Sequence, residues 1–169
     1  MKKVIIIGCP GSGKSTFAKK LRCVTGLPLY HLDMMYWNGD RTTVDKEVFM
    51  ARLKAAMSKP LWIIDGNYNS SMELRLKECD TVFFLDYPTQ VCIKGIETRI
   101  GKPRSDMPWI ESGKDEEFAA FVRGFNEEIR PGVIELLQKY SSKNIVIFSS
   151  REESEKYLAE LDCGGKGHV

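Results

Sequence analysis

No stretch of this sequence approaches the ~18 consecutive apolar residues that a membrane-spanning helix requires. The opening MKKVIIIG halts its apolar run at Gly8, short of the about 7 to 15 residues of a secretory signal. Neither a membrane span nor a signal peptide is expected, and the expected compartment is the cytoplasm. An excess of one charge is missing too. The 25 Lys and Arg against 23 Asp and Glu leave a formal +2, which gives no electrostatic case for a nucleic-acid footprint, so no direct nucleic-acid binding is expected. The five cysteines are odd in number and scattered, with no CxxC spacing and only His31 and His168 beside them; reduced thiols follow, not a disulfide framework or a zinc site. No internal repeat and no domain linker is visible. What is there is a chain of 169 residues with 43% hydrophobic content, enough for one domain that buries about two thirds of its unfolded surface.

Four apolar runs, Val4 to Ile7, Leu61 to Ile64, Thr81 to Leu85 and Asn144 to Phe148, read as buried strands, and Leu29 to Leu32 as a shorter fifth. Helix-period segments separate them. Lys14 to Thr25 sets Phe17, Ala18, Leu21 and Val24 on one stripe and stops at Gly26, while Phe49, Leu53 and Met57 form another stripe before Pro60. Thr89 to Ile100 and Asp115 to Tyr140 are helical as well, the second kinked or divided at Pro131 and Gly132. Ser150 with Glu153 forms a capping box for a last helix that fades near Gly164, and the tail from 164 to 169 is expected to fray. Strands alternating with helices predict an α/β fold, one parallel sheet with helices on both faces, in a single domain over 1–169. The stretch GKPRSDMPWIESGKD reads as a long functional loop.

Between the first strand and the first helix lies GCPGSGKST, which satisfies GxxxxGK[ST], the Walker A signature, in the strand-before, helix-after context it needs. Gly8, Cys9, Pro10, Gly11, Ser12 and Gly13 make a loop whose amides turn inward onto a phosphate. Lys14 reaches the β and γ oxygens of ATP, Ser15 offers its hydroxyl to Mg²⁺, and Thr16 completes the first helical turn. Cys9 reads as small filler. A carboxylate is also needed near the metal, and WIIDGNY supplies Asp65 at the end of a buried strand, with a turn aspartate beside Gly66 as the alternative. LYHLD puts Asp33 at the end of the short strand, where it orients an acceptor hydroxyl or takes its proton, unless it is a surface turn carboxylate. Trp62, Met34 and Met35 read as packing. A GTPase would carry NKxD and DxxG, yet Asp65 is followed by GNY and the nearest lookalike is SKNI at 142 to 145; a motor ATPase would be larger. A compact kinase using MgATP and a small acceptor is expected, as a monomer or homodimer.

Taken together, GCPGSGKST, HLDMMYW, WIIDGNY, FFLDYP and the basic RIGKPRSD resemble the adenylate-kinase-like P-loop proteins, and most closely the small bacterial group named DNA topology modulation proteins. The resemblance runs from about Met1 to Leu161. It implies a three-layer P-loop NTPase fold with a five-stranded parallel sheet in order 2-3-1-4-5, an acceptor-clasping segment at about 34–60 and a mobile lid at about 100–114. It also implies that Arg99 meets the adenine or the phosphates, that Arg104 is the lid arginine over the transferring phosphoryl, and that Arg151, with Ser149 and Ser150, lies at the purine. Asn67 and Arg75 fall with the acceptor. Arg123 and Arg130, seven apart on one helix face, add charge there or serve as surface ion-pair partners. The pattern departs from adenylate kinases proper: GNYNSS intervenes where their acceptor-gripping arginine stands, and the first arginine is Arg75, which argues against AMP. Trp37, Asn38, Asp40 and Arg41 offer polar contacts without a recognisable base site, and the lid has no four-cysteine zinc cluster. A nucleotide-sensing regulatory protein linked to DNA topology or transcription is the alternative function.

Overall fold

The computed structural model describes residues 1–165. Five parallel strands form one sheet: β1 (Lys3–Gly8), β2 (Leu29–His31), β3 (Trp62–Asp65), β4 (Thr81–Leu85) and β5 (Asn144–Phe148), in the order β2-β3-β1-β4-β5. This is the topology the resemblance implied. Alternation along each strand divides the core into two layers, because successive side chains leave opposite faces of the sheet. Val4 and Ile6 of β1, with Phe83 and Leu85 of β4, pack under α1 (Lys14–Thr25), α5 (Thr89–Glu97), α6 (Glu116–Glu128) and α8 (Arg151–Gly165). Ile5, Ile7, Val82 and Phe84 face the other way, onto α3 (Lys46–Met57), α4 (Asn69–Glu78) and α7 (Arg130–Lys139). Both faces being covered is why the central strands read as unbroken apolar runs.

Several boundaries moved. The short β2 ends at His31, and Asp33 sits in the first turn of a five-residue helix, α2 (Leu32–Tyr36), not at a strand end. The helix α4 had no counterpart in the sequence reading, since its buried apolar stripe is only Met72 and Leu76 among polar residues. The division between α6 and α7 falls at Ile129, and Pro131 sits in the first turn of α7, where its missing N–H costs no intrahelical bond. Half of the Ser150–Glu153 box forms: the Glu153 amide donates to Ser150 Oγ at 3.2 Å, while the Glu153 carboxylate accepts from the Ser149 amide, one residue earlier, at 2.7 Å. The expected fraying of the tail lies, from 166 onward, outside the described residues. Residues 100–114, the expected lid, run between α5 and α6 as turns and bends, with Gly101 N–H donating to the Glu111 carbonyl at 2.7 Å.

Register fixes the site. His31 pairs with Asp65 across β2 and β3, Asp65 with Ile6 across β3 and β1, and Gly8 with Leu85 across β1 and β4, so the carboxyl ends of four strands open on one crevice. The chain crosses from one side of β1 to the other between β3 and β4, and ligand crevices in open α/β sheets form at such reversals.

Candidate active site

A cleft of about 1370 Å³ lies over these strand ends, floored by the phosphate loop and walled by α2, the segment after β3, and the lid. That exceeds the roughly 300–1,000 Å³ of a single small-ligand pocket. The loop reaches its shape through glycine: Gly11 and Gly13 have φ of 83° and 96°, left-handed values that side chains rarely adopt. Gly13 caps α1 without any side-chain hydrogen bond, and no acidic residue stands in the first turn. The first-turn amides of Lys14, Ser15 and Thr16 have no intrahelical acceptor by geometry, so they and the positive helix end face the cleft.

Lys14 Nζ donates to the carbonyls of Gly8 at 2.8 Å and Cys9 at 3.0 Å, arching over the loop. Burial lowers its pKa, and the charges of Asp65 and Asp33 oppose that shift. Asp65 is 4% exposed and bonded to His31 Nδ1 at 2.7 Å. Asp33 accepts from the Tyr68 hydroxyl at 2.7 Å; burial raises its pKa, the Tyr68 bond resists, and Asp65 pushes it further up. Tyr68 holds that position from a left-handed backbone, φ 37° and ψ 73°, a conformation costing roughly 1–3 kcal/mol that a packed surround must sustain. Here that surround is Tyr36 and Phe49, whose ring centroids lie 5.0 and 5.2 Å away.

Both expected arginines border the cleft, Arg99 just ahead of the lid segment and Arg104 within it. Arg99 lies over the Phe118 ring at 5.2 Å and donates to Glu111 at 2.7 Å, and Arg104 pairs with Asp106 and stands 3.5 Å from Glu111. Asp106, absent from the sequence reading, is 3% exposed. Burial alone would raise its pKa, but Arg104, the Ser15 hydroxyl and Lys19 together hold it well below the carboxylate range. Its carboxylate thus gathers a hydroxyl and two cations, the partners a phosphate would take. The only sequence signal for it was its place two residues after Arg104.

Other expected residues are engaged differently. Asn67 borders the cleft but spends both ends of its amide on Gly8, accepting from its N–H at 3.0 Å and donating to its carbonyl at 2.6 Å, so it clamps the phosphate loop to β3. Arg75 does not face an acceptor. It is 0% exposed and donates to the main-chain carbonyls of Gly66, Asn67 and Tyr68, holding the turn beneath the site. Arg130 donates two hydrogen bonds to Asp86, from Nε and Nη2 at 2.7 Å each, and does not border the cleft. Arg123 borders the cleft as an exposed residue paired with Glu116 at 2.8 Å. Arg151 reaches the Gly11 carbonyl at 3.3 Å, and Ser149 is bonded to Glu153. Cys9 is buried, and its thiol pKa is pushed up by the hydrogen bond with Cys92 and by burial, as inert filler would be. Trp62 packs in the core, whereas Met34 is exposed.

No family model matches the sequence. Adenylate kinases from Thermotoga petrophila, Thermotoga maritima and Thermotoga neapolitana are each 31% identical over 94 residues, which is 54% of this chain. The chain spans 42% of the length of these curated relatives. Among solved structures, a shikimate kinase from Bacteroides thetaiotaomicron superposes with a TM-score of 0.55 at 18% identity, over 94% of each chain. The fold is a three-layer α/β P-loop fold, shared with that shikimate kinase. No helix among the described residues is long and apolar enough to cross a membrane.

Proposed function

We propose that this chain is a phosphotransferase that moves the γ-phosphoryl of ATP to the hydroxyl of a small acceptor. One observation carries the reading: Lys14, Asp33, Asp65, Arg99 and Arg104 line one cleft over the phosphate loop, with both carboxylates within electrostatic reach of Lys14. The first-turn amides and Lys14 hold the β and γ phosphates. Arg104 offsets charge on the transferring group; its buried Nη1 faces Glu111 at 3.5 Å as an ion pair without a hydrogen bond, which leaves donor capacity for an incoming oxyanion. Asp33, oriented by Tyr68, aligns the acceptor hydroxyl and takes its proton; its raised pKa makes it a better base than an ordinary aspartate. The donor set fits magnesium, since Ser15 and Asp65 supply hard oxygens beside the phosphate position and a kinase metal takes its other ligands from phosphate and water. Held by Ser15 and Asp65, Mg²⁺ would supply charge neutralisation to the phosphates during transfer. Ser15, within reach of Asp106, can donate its proton to that carboxylate and still offer an oxygen lone pair to the metal.

Within the P-loop kinases, HLDMMYW and WIIDGNY set this chain beside the DNA topology modulation group, and the cytoplasm supplies the MgATP and reducing conditions it needs. The experiment is ADP formation from MgATP with a panel of small hydroxyl compounds. Acceptor-dependent ADP above hydrolysis is expected, with Arg104→Ala lowering turnover far more than ATP affinity. Tight ATP binding with no acceptor-dependent ADP would replace this reading with a nucleotide sensor.

A further inference from the structure

The acceptor half of the cleft has a chemistry unlike the phosphate half. Tyr36 lies edge-on to Tyr68 at 5.0 Å and to Trp37 at 5.1 Å, and Trp37 meets Trp109 of the lid at 4.8 Å. All four rings are half-buried and border the cleft, so part of each faces whatever occupies it. Asp33, bonded to the Tyr68 hydroxyl, is the acid set among them.

An acceptor that already carries a phosphate would need cations on this side, and the arginines near it are committed elsewhere. Arg75 is sealed under the 66–68 turn, Arg130 is held by Asp86, and Arg52 donates to the Met35 carbonyl at 2.8 Å. Arg41, at the exposed rim, reaches across to the lid, donating to the Ile110 carbonyl at 3.1 Å and to Ser112 Oγ at 3.3 Å. The cations that act on Asp33, namely Lys14, Arg99 and Arg104, serve the donor phosphates in this reading, so a second dianion would meet Asp33 and four aromatic rings, where like charge and desolvation both oppose it.

We infer that the acceptor is an uncharged alcohol bearing a flat ring, a nucleoside or aryl alcohol and not its phosphate ester. This rests on the phosphotransferase reading above. Its ring lies against Trp37 and Trp109, since aromatic faces bind planar rings with little sequence or substituent demand. Its hydroxyl meets Asp33. In the transfer, the hydroxyl oxygen forms the new bond to the γ-phosphorus, its proton passes to Asp33, and the bond to the β–γ bridging oxygen breaks, leaving ADP with that electron pair.

The test uses the full chain with its donor site filled by a non-hydrolysable MgATP analogue. Trp62 is buried in the core, so tryptophan emission on titration reports Trp37 and Trp109. The probes are ribonucleosides, deoxyribonucleosides and benzyl alcohol, each nucleoside paired with its 5′-monophosphate, and the same set is run for ADP release with MgATP. At least one nucleoside or aryl alcohol should bind and support ADP release, with any nucleoside that does so exceeding its monophosphate about tenfold or more in both. Trp109→Ala should raise the KM of that acceptor about fivefold or more and leave MgATP affinity unchanged, and Trp37→Phe should retain most of the binding. A monophosphate preferred over its nucleoside, with Arg41→Ala abolishing that preference, overturns the inference while the kinase reading stands. ADP release from no member, with MgATP still bound, overturns both.

Discussion

Replacing Gly95 by alanine asks whether helix packing sets the phosphate site. A Cβ at position 95 would stand 1.9 Å from the Gly11 carbonyl oxygen and 2.7 Å from its carbon. Both are main-chain atoms of the phosphate loop, so no side chain can swing aside. Restoring ordinary contact demands that α5 and the loop part by ~1.5 Å. Overpacking of this kind costs about 1–3 kcal/mol, which in a domain of this size lowers Tm by roughly 3 to 10 °C. The larger effect is on function, because a displacement of ~1 Å at a site that acts by positioning can cost about 10²-fold. Gly95→Ala should therefore weaken MgATP binding at least about tenfold and lower kcat/KM about 10²-fold, in a chain that still melts cooperatively. Calorimetric titration gives the affinity and a thermal melt gives the folding control. Wild-type affinity together with an unchanged Tm would refute the close approach of α5 to the loop.

Arg75→Met should destabilise the fold by about 3 kcal/mol through the loss of buried charged hydrogen bonds, visible as a lower Tm, while acceptor KM stays put; a raised KM at unchanged Tm would return Arg75 to the acceptor. Asp33 is held above its ordinary value mainly by burial, so between the two pKa values the folded chain binds more protons than the unfolded one. Its contribution to stability therefore falls as pH rises through that window and is lowest at neutral pH. Asp33→Asn should then raise Tm at pH 7, with the advantage shrinking toward pH 4, and should abolish most turnover; a lower Tm at pH 7 would contradict the assigned shift. Asp106→Asn frees Ser15, Lys19 and Arg104 from a competing anion and should tighten MgATP binding about threefold or more, whereas weaker binding in the same titration would place Asp106 on the nucleotide's side.

The phosphate loop was legible because its signal is local: glycines, Lys14 and Ser15 at fixed spacing between a strand and a helix. The central strands were legible because two-sided burial leaves no polar residue to interrupt them, and the sheet order came from family resemblance. What escaped was long-range. Gly95 matters only because α5 docks on Gly11, and Asp106 only because the lid folds onto Ser15. Arg75 displays its charge in the sequence, but not that α4 points it under the 66–68 turn, where three carbonyls outbid any acceptor. Tyr68 was missed since its strained backbone and its bond to Asp33 appear only once β2 and β3 are paired.

The most direct measurement is a calorimetric titration of MgATP into the wild-type chain and into Lys14→Ala. Saturable one-to-one binding that weakens about 100-fold on loss of the ammonium group is expected for a triphosphate seated on the loop amides. Absence of heat with both ATP and GTP, or equal affinity in the two proteins, would contradict the phosphate site on which the proposed chemistry depends.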